Sequence, residues 1–421
     1  MAKGEFYLKL NYKRTFFIGL AFLSIQSFWQ LYDNIIPLML QNTFGLGETL
    51  TGGIMAIDNV LALFLLPLFG AFSDKVDSRF GKRTPFIVVG TIISTIFMIF
   101  IPLANEQKSF IFFFISLGIV LLSMGTYRSP AVALMPDLTP KPLRSKANAV
   151  INLMGAVGGI ITLILIRVLV PAEINPNYTS LFISVAGLMA ITVVILLLTI
   201  REKELSKEVI INDEEEIEDL GEGKEMPKDV QKSLRFLLAS VFLWFFAYNA
   251  VTTAFSRYAV NVWGMVGGQF ADALLVAMGA AILAFIPIGH ISSLIGRKKS
   301  IIIGIILMSL SYFAGFLFVE YSPLINVVFA FTGFGWAAIS VNSYPMVVEM
   351  SKSSDIGKYT GLYYSFSMSA QILTPVVSGF LLENVSYRTL FPYSVVFSLL
   401  SLSTMLFVKH GDSKPPKKKL A

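Results

Sequence analysis

Residues 70–87 read GAFSDKVDSRFGKRTPFI, a short charged island between two long apolar runs. The island carries Asp74, Lys75, Asp77, Arg79, Lys82 and Arg83, while the runs on either side are nearly free of charge. Such a stretch cannot rest in hydrocarbon, so it marks where the chain leaves a bilayer and turns back. Its positive balance assigns it to the cytoplasmic side. Outward from the island, the chain repeats the same alternation of apolar span and short turn.

The composition agrees. Of 421 residues, 55% are hydrophobic and 14% charged, with a mean hydropathy of +0.71. A soluble domain carries about 25% charged residues. A polytopic membrane protein is the class that fits. With no cysteine, disulfides are excluded. No small-residue cleavage site follows the N-terminal basic residues, so the apolar run from Thr15 is expected to act as the insertion signal. The net charge of +6 does not point to nucleic acid, because the basic residues lie in short loops and in the tail KPPKKK at 414–419.

Twelve spans are expected, near 15–40, 48–72, 85–104, 110–135, 146–170, 179–200, 234–262, 269–292, 300–319, 324–350, 358–383 and 389–409. Each exceeds or approaches the roughly 20 residues a bilayer requires. The absence of strand-like alternation makes this an all-α membrane protein rather than a barrel. The stretches assigned to the cytoplasm hold 28 of the 33 Lys and Arg, and the opposite loops hold only Lys108 and Arg388. Both termini are therefore expected inside. The domain reading is a six-helix bundle over 1–200, a linker over 201–233, a second six-helix bundle over 234–409 and a basic tail over 410–421. The acid-rich linker reads as a flexible tether. Sequons at Asn177 and Asn384 are put down to chance.

The halves are related. PDLTPKPLRSKANA from Pro136 aligns with VEMSKSSDIGKYTG from Val348, placing Asp137 on Glu349, Lys146 on Lys358 and Ala149 on Gly361. The island has a weaker partner in GHISSLIGRKK, 289–299. Repeated six-helix halves are the plan of two-domain alternating-access transporters, with substrate near the midplane at their interface.

A charge at the centre of a span costs roughly 2.5–3.5 kcal/mol on insertion scales, so an intramembrane acid is a functional candidate. Asp33 and Asp58 lie at matching depth on the first two, antiparallel spans. Burial raises a carboxylate's pKa and a neighbouring arginine lowers it, which suits a proton carrier. Either aspartate is the expected proton-coupling residue, Asp58 slightly ahead; the competing reading is a permanent ion pair. In the first span Gln26, Trp29, Gln30 and Asp33 fall at i, i+3, i+4 and i+7, on one helix side. That palette suits a sugar, the indole stacking on C–H groups and the amides bonding hydroxyls; the competing reading is interhelical glue. Asp74, Arg79, Arg83, Asp137, Arg144, Lys146, Glu349 and Lys358 gather at cytoplasmic span ends, as an inner-gate latch or as plain surface charge. Gly155, Gly158 and Gly159 suit close helix contact.

The island resembles the helix 2–3 loop of the major facilitator superfamily, roughly G-x-x-x-D-x-x-G-R-[KR]. Gly70 and Asp74 fit, and Gly81, Lys82 and Arg83 supply the glycine and basic pair four residues late. SDKVDSRFGKRTPFI, with SPAVALMPDLTPKPLRSKANAVINLMGAVGG, is similar to the glycoside–pentoside–hexuronide:cation symporter group, closest to its sucrose–proton symporter branch. The resemblance implies the major facilitator fold and a cavity lined by spans 1, 4, 7 and 10. It thereby adds Arg128, Tyr248, Asn249, Arg257, Trp336, Asn342 and Tyr344 to Gln26, Trp29 and Gln30 as substrate-binding candidates. Tyr127, Thr252, Ser256 and Ser340 lie on the same spans. Arg257 is the better-placed partner for Asp33 or Asp58. Gly81 and Lys82 join the gate. Leu66 and Ala62 stand where sodium-coupled relatives have paired aspartates, which disfavours a sodium site of that design. Val132 stands where sucrose carriers have an arginine, with Arg128 one turn earlier.

The function expected is proton-coupled uptake of a glycoside, a di- or oligosaccharide, by alternating access. Alternatives are an exporter of amphipathic compounds from the same superfamily and a non-transporting sugar sensor. No nucleotide loop, metal cluster or nucleophile–base pair points to an enzyme or a cofactor. The expected partners are a small sugar, protons and lipid, with no nucleic acid, in a monomer of the bacterial inner membrane.

Overall fold

The computed structural model describes residues 10–139, 143–173, 176–206, 227–350 and 356–412. Among these residues the chain is all helix, with no strand. Twelve long helices follow in order: α1 Tyr12–Asn42, α2 Glu48–Lys75, α3 Thr84–Glu106, α4 Phe110–Asp137, α5 Arg144–Leu169, α6 Thr179–Thr199, α7 Lys228–Trp263, α8 Ala271–Ile295, α9 Arg297–Leu317, α10 Ile325–Glu349, α11 Ile356–Asn384 and α12 Leu390–Leu406. Each expected span falls on one helix.

Eleven of these are long and apolar enough to cross a membrane. The exception is α1, whose polar stripe dilutes its hydropathy, although its 31 residues reach about 46 Å. Prolines sit inside α1, α2, α3, α4, α8, α10 and α11, at Pro37, Pro67, Pro102, Pro130, Pro287, Pro345 and Pro375 among others. Neighbouring helices and hydroxyl side chains re-satisfy the backbone groups that such prolines free. The seventh helix begins at Lys228, earlier than its apolar run, because Pro227 fixes the entry and Asp229 complements the first-turn dipole.

The described residues fall into two compact units. Unit 1 comprises Met1–Tyr32, Val60–Pro171 and Asn175–Glu218, and unit 2 comprises Asp33–Asn59, Ala172–Ile174 and Asp219–Ala421. The last third of α1, Asp33–Asn42, and the first part of α2, Glu48–Asn59, thus belong to unit 2.

Without a hydrophobic drive between helices in lipid, close approach and small hydrogen bonds do the work. In unit 1, Ser27 Oγ donates to the Gly158 carbonyl at 3.2 Å, and Thr162 Oγ1 donates to the Ser27 carbonyl at 3.3 Å. A Cβ on Gly158 would overlap the Leu23 carbonyl, so the glycines of α5 serve close contact with α1. The Tyr127 hydroxyl, fully buried, donates to the Ala21 carbonyl at 3.0 Å and so joins α4 to α1. In unit 2, Ser394 donates to the Ala247 carbonyl at 3.0 Å, Ser401 to the Ser240 carbonyl at 3.2 Å, and Ser309 to Ser398 at 2.9 Å.

Candidate functional site

Unit 1 gathers the island around one arginine. Arg83 stands at the N-cap of α3 and is buried. Its Nε donates to Asp137 Oδ2 at 2.8 Å, its Nη2 to Asp74 Oδ1 at 2.5 Å, and its Nη1 to Ser73 Oγ and to the Gly70 carbonyl. One guanidinium fork thereby joins the end of α2, the start of α3 and the end of α4. Burial alone pulls the Arg83 pKa down; the bonds and charges of Asp137 and Asp74 outweigh it and raise the net value.

The opposite face of the same turn holds a carboxylate that the sequence reading missed. Glu202, just past α6, is 3% exposed. It accepts from the backbone N–H groups of Lys82 at 2.7 Å, Arg83 at 2.9 Å and Thr84 at 2.8 Å, and from the Thr84 hydroxyl at 2.7 Å. These are the orphan donors of the α3 N-terminus, and a negative charge is favoured there. Gly81 has a φ of +116°, and a Cβ on it would collide with Glu202. Glycine is required at this point both by conformation and by space. Lys203 adds an ion pair to Asp77 at 2.8 Å. Lys82 contributes its backbone, and Arg79 lies over the Phe80 ring at 4.5 Å.

Unit 2 repeats part of this arrangement. Arg297, the first residue of α9, pairs with Glu349 at the end of α10. The acid that aligns with Asp137 thus also takes an arginine from the start of the neighbouring helix. Arg144, Lys146 and Lys358 lie in the first turns of α5 and α11, and their side chains fall outside the described residues.

The α1 stripe divides between the units. In unit 1, Gln26 is exposed, its stem beside Gly155, and Gln30 is half-buried. The Arg128 guanidinium lies 5.4 Å from the centre of the Trp29 ring, a cation–π contact, and the Trp29 Nε1 is buried without a hydrogen bond. In unit 2, half-buried Asp33 lies within electrostatic reach of Tyr248. Tyr248 stacks on Trp336 at 3.9 Å with 5° between the rings. Asn249 Nδ2, one residue on, is buried without a partner. Asp58 accepts from the amide of Asn59 at 2.8 Å.

Two candidates have other commitments. Asn342 is 2% exposed, and its amide donates to Ser292 Oγ and to the Ala338 carbonyl, both at 2.8 Å, so it bonds α10 to α8. Tyr344 sits in a ring cluster with Tyr363 and Tyr364 at 5.6 and 6.3 Å.

Arg257 corrects an expectation. Its ion pair is with Glu48, the first residue of α2, at 2.8 Å, with side-chain exposures of 2% and 3%. Its Nη1 also donates to the Thr253 carbonyl at 2.7 Å. Around this pair the first turn of α2 docks closely. Thr49 N–H donates to Glu383 Oε2 at 2.7 Å, and a Cβ on Gly52 would overlap the Pro375 carbonyl. Beside it opens a cavity of about 740 Å³, lined among others by Gln41, Asn42, Glu48, Asn261, Tyr387 and Arg388. Sequence spacing gave no signal for the pair, whose partners are 209 residues apart.

Comparison with known proteins places this geometry in context. A family model described as Major Facilitator Superfamily matches residues 18–292 and 267–421. The sucrose transport protein SUC3 of Arabidopsis thaliana is 28% identical over 156 residues, 32% of this chain and 26% of that protein. The chain therefore spans about a quarter of that relative's length. An uncharacterized MFS-type transporter, MJ1317 of Methanocaldococcus jannaschii, is 24% identical over 378 residues, 89% of each chain. Among solved structures, the inward open conformation of the xylose transporter XylE from E. coli superposes with a TM-score of 0.66 at 14% identity, covering 96% of this chain and 97% of that one. A POT family transporter in complex with 5-aminolevulinic acid gives 0.71 at 14% identity, covering 96% of each. At such identities the likeness concerns the fold.

Proposed function

The chain belongs to the major facilitator superfamily, and on that premise we propose that it is a secondary active transporter coupling glycoside uptake to proton entry. The α2–α3 turn and both termini are assigned to the cytoplasm, from the bias of Lys and Arg. The observation that carries the substrate class is that each unit, taken by itself, holds a buried, uncommitted donor on a candidate residue. These are Trp29 Nε1 in unit 1, on the ring that Arg128 covers, and Asn249 Nδ2 in unit 2, one residue after Tyr248 of the Tyr248–Trp336 stack. A buried donor left without a partner costs about 1–3 kcal/mol. A hydroxyl-rich solute supplies acceptors, and the indoles offer faces to its C–H groups. Gln26 and Gln30 extend the same polar side of α1. The similarity to a sucrose transport protein over part of the chain supports this class.

Asp33 and Asp58 are the proposed proton carriers, since each is an acid within a span. Arg83 with Asp74 and Asp137, organised by Glu202, is the proposed gate on the cytoplasmic side. Arg297 with Glu349 is its counterpart in unit 2.

The test is charge movement in proteoliposomes on adding a panel of glycosides at symmetric pH, with Asp33→Asn and Asp58→Asn beside the parent chain. The expected result is a sugar-dependent inward current that ignores sodium and is lost in one of the two variants. Silence across the panel, with no glycoside binding, overturns the reading.

A further inference from the structure

The cavity beside the Glu48–Arg257 pair takes no part in the reading above. It lies wholly within unit 2, at the end where α1 passes into α2 and α11 into α12. Its volume, about 740 Å³, falls in the range of small-molecule sites, roughly 300–1,000 Å³.

Three polar atoms of its lining are buried and lack a hydrogen bond. They are the amide nitrogen Nε2 of Gln41, the carboxylate Oε1 of Glu48 and the guanidinium Nε of Arg388. Buried polar groups are as a rule hydrogen-bonded, so three orphans around one cavity describe the ligand that would complete them. Two are donors and one is an acceptor. Glu48 is only 3% exposed, held from behind by Arg257 through its other oxygen, so Oε1 cannot swing away to find water elsewhere. Tyr387 stands beside the same carboxylate, within reach of a side-chain hydrogen bond to it.

The charges narrow the class. Two carboxylates, Glu48 and Glu383, and one guanidinium, Arg388, line the cavity, and Arg257 behind the lining neutralises Glu48. An anion would approach two acids, and a cation would approach the Arg388 guanidinium. An apolar solute would leave all three orphan atoms unmet, at about 1–3 kcal/mol each. A neutral solute with several hydroxyls meets each need at once, because a hydroxyl both donates and accepts. Asn42, Asn261 and Tyr387 add further amide and phenol groups around the rim. We propose that this cavity is a second binding site, a capture site for a neutral polyhydroxylated solute at the outer mouth of the protein. Its class deepens the glycoside reading and rests on it, and its exposure to the outside rests on the proposed orientation.

The chain has no cysteine, so single-cysteine variants need no prior engineering. Asn42→Cys and Ser386→Cys place thiols on exposed parts of the rim, and Gln269→Cys places one on an exposed loop of the same unit outside the cavity. Each variant in proteoliposomes is labelled with a membrane-impermeant maleimide, with and without a monosaccharide glycoside, a disaccharide, a dipeptide or choline. The expected result is that a glycoside slows labelling at 42 and 386 at least fivefold and leaves 269 unchanged. Adding Gln41→Leu should raise the half-protecting concentration about three- to tenfold, the loss of one hydrogen bond.

Transport of a glycoside with unchanged labelling at both rim positions overturns the capture site and leaves the transport reading intact. Protection by a glycoside that is never transported supports the site while the transport reading falls. Equal protection by dipeptide or choline overturns the assignment to neutral polyols.

Discussion

Replacing Arg257 with Met tests what holds the first turn of α2 in place. Arg257 and Glu48 are 2% and 3% exposed and meet at 2.8 Å. Removing one partner of such a pair costs about 3–5 kcal/mol, because the other charge stays buried and uncompensated. Tyr387, the other group beside the Glu48 carboxylate, is neutral and cannot compensate the charge that Arg257 leaves behind. The pair exists only while α2 is docked on α7, so the cost falls on the docked state alone. Converted at 1.36 kcal/mol per decade, the docking equilibrium shifts by about 10²- to 10⁴-fold. Thr51, one turn along α2 and fully buried, reports undocking once replaced by Cys in this cysteine-free chain. In the Arg257→Met and Glu48→Gln backgrounds, the maleimide labelling rate at position 51 should rise at least 10²-fold, up to the plateau set by an exposed thiol. The double variant should return to within about tenfold of the parent, because a neutral pair leaves no buried charge. Single variants that stay folded by size-exclusion chromatography yet change labelling by under threefold would refute the reasoning, as would a double variant no better than the singles.

Three further expectations concern the rest of the molecule. Glu202→Ala strands the N–H groups of Lys82, Arg83 and Thr84 and should destabilise unit 1 by about 2 kcal/mol or more, read as a lower midpoint of thermal unfolding, with Glu202→Gln less affected. Arg83→Lys keeps the charge but cannot reach Asp74, Asp137 and the Gly70 carbonyl together, and should lose about 1.5–3 kcal/mol by the same assay; a loss under 0.5 kcal/mol would remove the guanidinium fork from the account. Asn342→Ala should lower stability by about 1 kcal/mol, by deleting the bond to Ser292, and leave the apparent affinity for solute within twofold; a tenfold loss of affinity would return Asn342 to the substrate-binding set.

Much of this protein is legible in one dimension. Every expected span is a helix, because a run of about 20 apolar residues in lipid has almost no other way to satisfy its backbone. The island was found by charge alone, and its glycine, Gly81, through the resemblance of the loop to a known family. The relation between halves, read as Asp137 on Glu349, reappears as two acids that each take an arginine from the start of a neighbouring helix. Side-chain partners were less legible. Arg257 was expected beside Asp33 or Asp58 on grounds of depth, and its ion pair is with Glu48 instead. Glu48 looks in the sequence like an ordinary acid in a first turn, and Glu202 like one of many charges in an acidic linker. Asn342 was expected to meet solute, and its amide donates to Ser292 and to the Ala338 carbonyl, which sequence spacing did not foretell.

The sequence by itself determined the membrane class, the order of the twelve long helices and the turn that carries the charge, because hydropathy and charge act locally along the chain. Which acid meets which arginine was decided only by the tertiary structure. A buried ion pair depends on the depth, rotation and approach of two helices, and residues 48 and 257, 209 apart, carry no mark in the chain that they share a 2.8 Å contact. The same holds for Glu202, whose buried place over the α3 N-terminus exists only because Gly81 leaves room for it.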